Sequence, residues 1–259
     1  MNIYEPKGRA REYSPLALNY MSGCSHNCDY CYVHNMLCRF NKSYNHSNCV
    51  SPKQNSIDII EKSAKKYEKC NKQILLCFTG DPYCNESVDF TYNVLNVLNK
   101  YRHKVAILTK GGNNILKHAD LFKKFEDRIK IGATLTFDNE SDSLNYESGA
   151  ASPNERISSL KKISELGVKT WASFEPVIIP EQSLNLIEKI EFIDHVKIGK
   201  INNYKGIDKS IDWNLFLKDS VNLCRCMNIK FYIKKDLQLY NNNSVYLNEN
   251  EINMDYLNL

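Results

Sequence analysis

Three cysteines fall within one short run, Gly23-Cys24-Ser25-His26-Asn27-Cys28-Asp29-Tyr30-Cys31-Tyr32. Their spacing, C-x3-C-x2-C, brings three thiolates close enough to wrap one small metal centre. A cubane iron–sulfur cluster has four irons, so three protein thiolates leave one iron open to a substrate or cofactor. Such a centre is a reagent as well as an electron carrier. Tyr30 places an aromatic ring beside the third cysteine. Two other chemistries use the same stretch. Cys38 could supply a fourth thiolate and make an inert electron-transfer centre, and His26 or His34 could complete a zinc site.

The elements that must position these residues read as alternating β-rich and helical segments. Strands are expected over 16–21, 73–78, 104–109, 129–136, 168–179, 196–200 and 230–233. Helices are expected over 33–40, 56–70, 88–101, 116–125, 152–166 and 212–227. Ser152-Pro153-Asn154-Glu155 opens its helix with an N-cap serine, a proline in the first turn and a glutamate three residues after the cap. Strands separated by helices imply parallel βα units joined by right-handed crossovers. The expected fold is therefore α/β, a partial (β/α)6-type TIM barrel that a further C-terminal strand can extend. A doubly wound open sheet is the alternative. Residues 1–240 are expected to form a single core domain with a short N-terminal lead-in, and 241–259 a polar C-terminal tail.

Polar residues recur where these strands end. Thr79-Gly80-Asp81-Pro82, Thr109-Lys110-Gly111-Gly112, Thr134 and Thr136, Ser173-Phe174-Glu175-Pro176 and Lys200 follow successive strands. The carboxyl ends of barrel strands are where such folds place their active sites. Gly80-Asp81-Pro82 and Gly111-Gly112 are also ordinary turn signals.

From about Gly8 to Leu237 the chain resembles the spore photoproduct lyase-like (DNA repair photolyase-like) branch of the radical S-adenosylmethionine (SAM) superfamily. The residues that carry the resemblance are Gly8-Arg9-Ala10-Arg11, Asn19, the cysteine run, Phe78-Thr79-Gly80-Asp81-Pro82-Tyr83 and Leu108-Thr109-Lys110. Ser152-Pro153-Asn154-Glu155-Arg156-Ile157 and Phe174-Glu175-Pro176-Val177-Ile178 fit it as well.

The resemblance implies a [4Fe-4S] cluster held by Cys24, Cys28 and Cys31, with the fourth iron chelating SAM. It implies Thr79, Gly80 and Asp81 near the SAM amino group, Lys110 on its carboxylate and Tyr30 near its adenine. Thr134, Thr136 and Ser173 fall at the ribose, and Glu175 joins the cofactor-binding set. One electron would cleave SAM to methionine and a 5′-deoxyadenosyl radical that abstracts a substrate hydrogen. Cys77 stands where the photoproduct lyases keep a thiol that returns a hydrogen atom, and Tyr32 could share that relay. As a bare residue, Cys77 also reads as a small buried hydrophobe. Glu147 and Arg156 read equally as cofactor contacts or as a structural ion pair; Lys234 reads first as a solvated strand end and second as a residue of the barrel mouth.

Composition limits the rest. The 259 residues are 42% hydrophobic and carry a net charge of +4. Ten cysteines without an apolar leader suggest metal ligation and free thiols rather than disulfides. No apolar run approaches the ~18 residues of a membrane span, so a soluble cytoplasmic protein is expected. Residues 1–75 hold 11 Lys and Arg against 6 Asp and Glu, a basic balance that suits a polyanion such as nucleic acid or merely a solvated helix face. The expected partners are an electron donor such as flavodoxin or ferredoxin and a nucleic-acid substrate. A distinct hairpin module for gripping a DNA lesion is not identifiable. A radical enzyme acting on a small molecule, peptide or protein is thus the competing reading, and a non-catalytic zinc or electron-transfer protein a third.

Overall fold

The computed structural model describes residues 2–38, 46–48, 50–54, 56–202 and 204–259. Its strands are β1 (Leu16–Ala17), β2 (Met21–Ser22), β3 (Ser51–Pro52), β4 (Ile74–Leu76), β5 (Val105–Thr109), β6 (Ile129–Thr134), β7 (Lys169–Phe174), β8 (His195–Ile198) and β9 (Lys230–Ile233). The helices are α1 (Tyr32–Cys38), α2 (Ser56–Lys66), α3 (Val88–Lys100), α4 (Ala119–Lys123), α5 (Glu140–Tyr146), α6 (Pro153–Glu165), α7 (Pro180–Glu188), α8 (Trp213–Cys226), α9 (Lys235–Gln238) and α10 (Glu249–Ile252).

Seven strands form one parallel sheet in the order β1-β4-β5-β6-β7-β8-β9. Each new strand joins the edge left by the one before, so the sheet curls into a partial TIM barrel, as the βα alternation implies. β2 and β3 pair antiparallel in a separate two-stranded ribbon beside the cysteine loop, which the sequence pattern does not foretell.

Period-two alternation divides the sheet's residues between two environments. Ile74, Leu76, Val105, Ile107, Ile129, Ile131, Val196 and Ile198 join the main core with Leu95 and Leu98 of α3, Leu160 and Ile163 of α6 and Leu217 and Val221 of α8. The intervening Leu75, Ala106 and Trp171 pack together inside the barrel with Tyr13, Phe78 and Leu108. Trp171 fits because β6 has glycine opposite: a Cβ on Gly132 would lie 2.4 Å from the indole.

Basic side chains gather at the lower end of the barrel. Lys197 Nζ donates to Glu12 O (2.6 Å) and Tyr13 O (3.1 Å), and Lys130 Nζ donates to Leu257 O (2.6 Å). Lys104 Nζ donates to Leu259 O (3.2 Å), and Arg11 makes two 2.8 Å bonds to Asp255. The last residues of the chain thus cover the amino-terminal end of the barrel, leaving the carboxyl-terminal end open.

Burial, with Lys234 nearby, lowers the Lys197 ammonium from its ordinary 10.5 to about 7. Between those two values the unfolded chain holds a proton that the folded chain has lost. Stability should therefore rise with pH across about 7 to 10, by up to ~1.4 kcal/mol per pH unit from this group, and this contribution should be flat below that window. Urea unfolding at a series of pH values should show the wild-type slope exceeding that of Lys197→Met. Equal slopes would contradict the burial of an unpaired lysine.

Several boundaries differ from the sequence pattern. The extended run over 168–179 is strand only to Phe174, because Pro176 has no N–H for the ladder and Pro180 starts α7. The helix expected over 116–125 is a 3₁₀ segment, Gly112–His118, followed by the short α4. Helices α5 and α7 have no counterpart in the expected pattern. The N-terminus of α6 is as read: Ser152 caps through its hydroxyl, which accepts from Glu155 N–H at 3.3 Å. Glu155 does not complete the capping box; its carboxylate accepts from Asn113 N–H (2.9 Å).

Candidate active site

The cysteine loop runs from β2 to α1 and is clamped from two sides. On one side Cys28 forms an isolated antiparallel bridge with Glu147. Asp29 N–H donates to Tyr146 O (2.9 Å), and Gly149 N–H donates to His26 O (3.0 Å). On the other side the loop meets the turn after β4. Ser25 Oγ donates to Glu86 Oε2 (2.7 Å), and His26 Nε2 lies 3.1 Å from Asp81 Oδ2. Gly80 permits this approach, since a Cβ there would sit 2.9 Å from Gly23 O.

A cavity of about 440 Å³ opens over this loop at the carboxyl ends of the strands. Cys24, Cys28 and Cys31 line one wall with Tyr30 and Tyr32. Cys77, Gly80, Asp81, Lys110 and Thr134 line the adjoining strand tips. Tyr13, Glu175 and Lys234 belong to a further wall. One depression therefore gathers most of the residues singled out in sequence.

Asp81 is a hub. Its carboxylate accepts from Tyr83 N–H (2.8 Å), Lys110 N–H (2.9 Å) and the Thr109 hydroxyl (2.5 Å), and contacts His26. Burial pushes the Asp81 carboxyl up, but the His26 charge and these hydrogen bonds outweigh it and hold the group down at about 2. An anion bound from four sides joins the cysteine loop to the ends of β4 and β5. Asn19 organises the same tip: its side-chain oxygen accepts from Phe78 N–H (2.7 Å) and Thr79 N–H (3.3 Å). The Thr79 hydroxyl is buried and has no hydrogen-bond partner, a donor and acceptor awaiting a ligand.

A second cluster lies behind Tyr30. Glu147 accepts from Arg156 Nη2 and from the Tyr30 hydroxyl, and Lys110 Nζ is 3.9 Å from Glu147 Oε1. Arg156 also donates to Thr134 O (3.0 Å) and Ala151 O (2.8 Å). Both members are almost wholly buried, so of the two readings open in sequence the structure selects the ion pair. Burial opposes the Lys110 charge, yet the neighbouring Cys28 and Glu147 raise it above its ordinary value. The Lys110 ammonium remains a cation in the cavity wall, 5.4 Å from the Tyr30 ring centroid.

Thr136 and Ser173 are fully buried and do not line the cavity. The Thr136 hydroxyl is 3.4 Å from Tyr30 OH, and the Ser173 hydroxyl 2.9 Å from Tyr13 OH. Glu175 accepts from Tyr13 OH (2.5 Å) and from Lys234 Nζ. Burial pushes the Cys77 thiol up to about 12, so it keeps its S–H bond. Tyr32 OH donates to Phe78 O (2.7 Å), beside Cys77.

Sequence reasoning did not single out Tyr13, nor the pairing of Glu175 with Lys234. Both arise from β7, β9 and the lead-in meeting in the lumen, and no local spacing signals that. Cys224 is buried and Cys226 exposed on α8, on different faces. The side chain of Cys38, and Cys49, lie outside the described residues.

The donor set fits an iron–sulfur cubane. His26 is turned towards the protein on both ring nitrogens, with Nδ1 3.2 Å from Gly149 O and Nε2 3.1 Å from Asp81 Oδ2. Among the described residues no three His, Cys, Asp or Glu side chains gather as a single-ion site requires, whereas a cubane spaces its thiolates at separate corners. The open cavity beside the thiols has the Lys110 cation and the Asp81 carboxylate in its wall, which suits a zwitterionic ligand.

The family model of the radical SAM superfamily matches residues 18–193. The chain belongs to the radical SAM superfamily. The family works with a [4Fe-4S] cluster, SAM and a reductant. The chain is 33% identical over 165 residues to an uncharacterized protein of Methanocaldococcus jannaschii, covering 62% of this chain and 60% of that one. It is 27% identical over 173 residues to an uncharacterized protein of Acidianus two-tailed virus, covering 64% and 57%. This radical SAM chain thus spans about three fifths of the length of these curated relatives. Among solved structures, a spore photoproduct lyase variant superposes with a TM-score of 0.65 at 11% identity, covering 88% of this chain and 78% of that one. SuiB of Streptococcus suis bound to SAM superposes at 0.64 and 16% identity, covering 90% and 53%. At these identities the likeness carries the fold. Among the described residues no helix is long and apolar enough to cross a membrane.

Proposed function

We propose that this radical SAM enzyme abstracts a hydrogen atom from a nucleic-acid substrate, with Cys24, Cys28 and Cys31 holding three irons of its [4Fe-4S] cluster. The observation that carries the site is one cavity lined by three thiols, Lys110 and Cys77. When bound, the reduced cluster and SAM supply a 5′-deoxyadenosyl radical. The chain's own residues bind, orient and shield. Thr79 and the Gly80 backbone offer acceptors to the SAM amino group, and Asp81 holds that tip in place. Lys110 meets the SAM carboxylate. Tyr30, fixed by Glu147 with Thr136 behind it, faces the adenine, and Thr134 is the ribose contact at the cavity wall. Ser173 acts through Tyr13, orienting it with Glu175 at the further wall. Cys77 keeps a protonated thiol and returns a hydrogen atom to the product, with Tyr32 closing the wall beside it. The protein works in the cytoplasm with flavodoxin or ferredoxin as reductant.

A charge-assisted contact such as that of Lys110 contributes ~1.5–3 kcal/mol. Lys110→Met should therefore weaken SAM binding by about tenfold or more in cluster-loaded protein, measured by equilibrium dialysis, with iron and sulfide unchanged. A Kd within twofold of wild type would remove the assignment.

The nucleic-acid reading is supported by the basic N-terminal third, by Lys200 in the cavity wall and by the likeness to spore photoproduct lyase, solved with a dinucleoside spore photoproduct. SuiB, solved with its precursor peptide SuiA, motivates the competing peptide reading. The deciding experiment reconstitutes the chain anaerobically, reduces it and adds SAM, following 5′-deoxyadenosine with and without DNA or RNA. Nucleic acid should bind with affinity falling steeply as salt rises and should stimulate SAM cleavage. Salt-independent or absent binding overturns the substrate, and a failure to form 5′-deoxyadenosine with an intact cluster overturns the mechanism.

A further inference from the structure

Glu175 stands in the further wall of the cavity, and its two carboxylate oxygens are used unequally. Tyr13 OH donates to Oε2 (2.5 Å), and Lys234 Nζ donates to the same oxygen. Tyr13 is fixed in turn by Ser173 Oγ, 2.9 Å from its hydroxyl, and by the Lys234 ammonium, 4.2 Å from its ring centroid. Gly199, just after β8, leaves room for both long side chains. A Cβ there would lie 3.0 Å from Glu175 Cδ, 3.2 Å from its Oε1 and 3.0 Å from Lys234 Cδ. Oε1 makes no hydrogen bond among the described residues, yet it is not one of the enclosed unpartnered atoms. The Glu175 side chain is 18% exposed and lines the cavity, so Oε1 is the oxygen that opens on it.

We propose that Glu175 Oε1 selects the substrate by accepting a hydrogen bond from the exocyclic amino group of a nucleobase, favouring cytosine over uracil. The inference rests on the nucleic-acid reading above. The Lys234 ammonium on Oε2 offsets the Glu175 charge, so this wall offers an acceptor with little net charge. A neutral N–H donor suits it better than a cation does. Base carbonyls are acceptors only and would meet Oε1 lone pair to lone pair. The cytosine amino group is a donor that carboxylates accept from. Uracil carries a carbonyl at that position, and its ring N–H lies between two carbonyl oxygens. A site built to hydrogen-bond one group rejects the analogue that lacks it, because its own polar atom is left unpaired. Glu175 is thus a specificity-determining residue, and its effect is on which base is bound.

Glu175→Gln is the deciding variant. Tyr13 and Lys234 both donate to Oε2, so the amide oxygen takes that position and the amide NH2 takes the position of Oε1. The wall then presents donors where it had an acceptor, and the preference should reverse. Glu175→Asp keeps a carboxylate for Lys234 but draws the acceptor back, and should lose most of the preference. The measurement is fluorescence anisotropy of labelled single-stranded dC and dU oligonucleotides of equal length, on the full chain loaded with cluster and SAM. Wild type should bind the dC strand about tenfold more tightly, the scale of one hydrogen bond to a charged group. Glu175→Gln should bind the dU strand more tightly. Equal affinities in wild type overturn the proposal and leave nucleic acid as the substrate. A dC preference retained in either variant overturns it too, by making the carboxylate a support for Tyr13 or a contact of SAM. If neither strand binds wild type, the nucleic-acid reading itself falls, and the base preference with it.

Discussion

Cys28→Ala should abolish reductive SAM cleavage, lowering 5′-deoxyadenosine formation by roughly three orders of magnitude or more, the scale seen when a reaction loses an indispensable group. The reason is geometric as well as chemical. Cys28 sits at the bridge to Glu147, which fixes its place in the loop. A cubane needs one protein ligand at each of three irons, and two thiolates leave a second iron exposed to loss. The visible absorption of the cluster and the product yield should disappear together, while far-ultraviolet circular dichroism stays native. Cys226→Ala, at an exposed thiol on α8, should change neither. Full activity in the Cys28 variant would refute the assignment of the motif.

Arg156→Leu should destabilise the fold by about 3–5 kcal/mol, because it strands the Glu147 carboxylate without its buried partner. Burial pushes the Glu147 carboxyl up, and Arg156 with Lys110 holds it below its ordinary value. Removing Arg156 takes away the larger of those cations and three donated hydrogen bonds, to Glu147, Thr134 O and Ala151 O. The urea midpoint should drop sharply. Adding Glu147→Gln should recover part of the loss, since the double variant buries no unpaired charge. Tyr30 is held by the same carboxylate, so the single variant should also bind SAM more weakly. A midpoint shift worth under ~1 kcal/mol would mean that water reaches Glu147 and that the pair is not the buried unit described.

These two predictions differ in how far the sequence alone leads to them. Cys24, Cys28 and Cys31 are legible because they are neighbours in the chain: a loop of this length cannot keep three thiols far apart. The seven parallel strands are legible for a related reason, since period-two apolar runs and intervening helices leave one right-handed way to stack. Lys110, Asp81 and Glu175 could be placed at the rim because they end strands, and strand ends gather at one end of a barrel.

The partners of those residues could not be read in the same way. Asp81 meets His26, 55 positions earlier in the numbering, and Glu147 meets Arg156 and Tyr30 only after α5 and α6 are packed. Charged side chains have no periodicity that announces a partner across the sheet, and burial decides whether each carries a ligand or holds the frame. Lys234 illustrates the point: as a strand end it reads as solvated, yet the curled sheet buries it against Glu175. The chain itself determined the reagent, through three adjacent thiols and a barrel rim. Which polar residues face the cavity and which support it was decided by tertiary structure alone, because that choice depends on contacts between strands distant in sequence and on the exclusion of water between them.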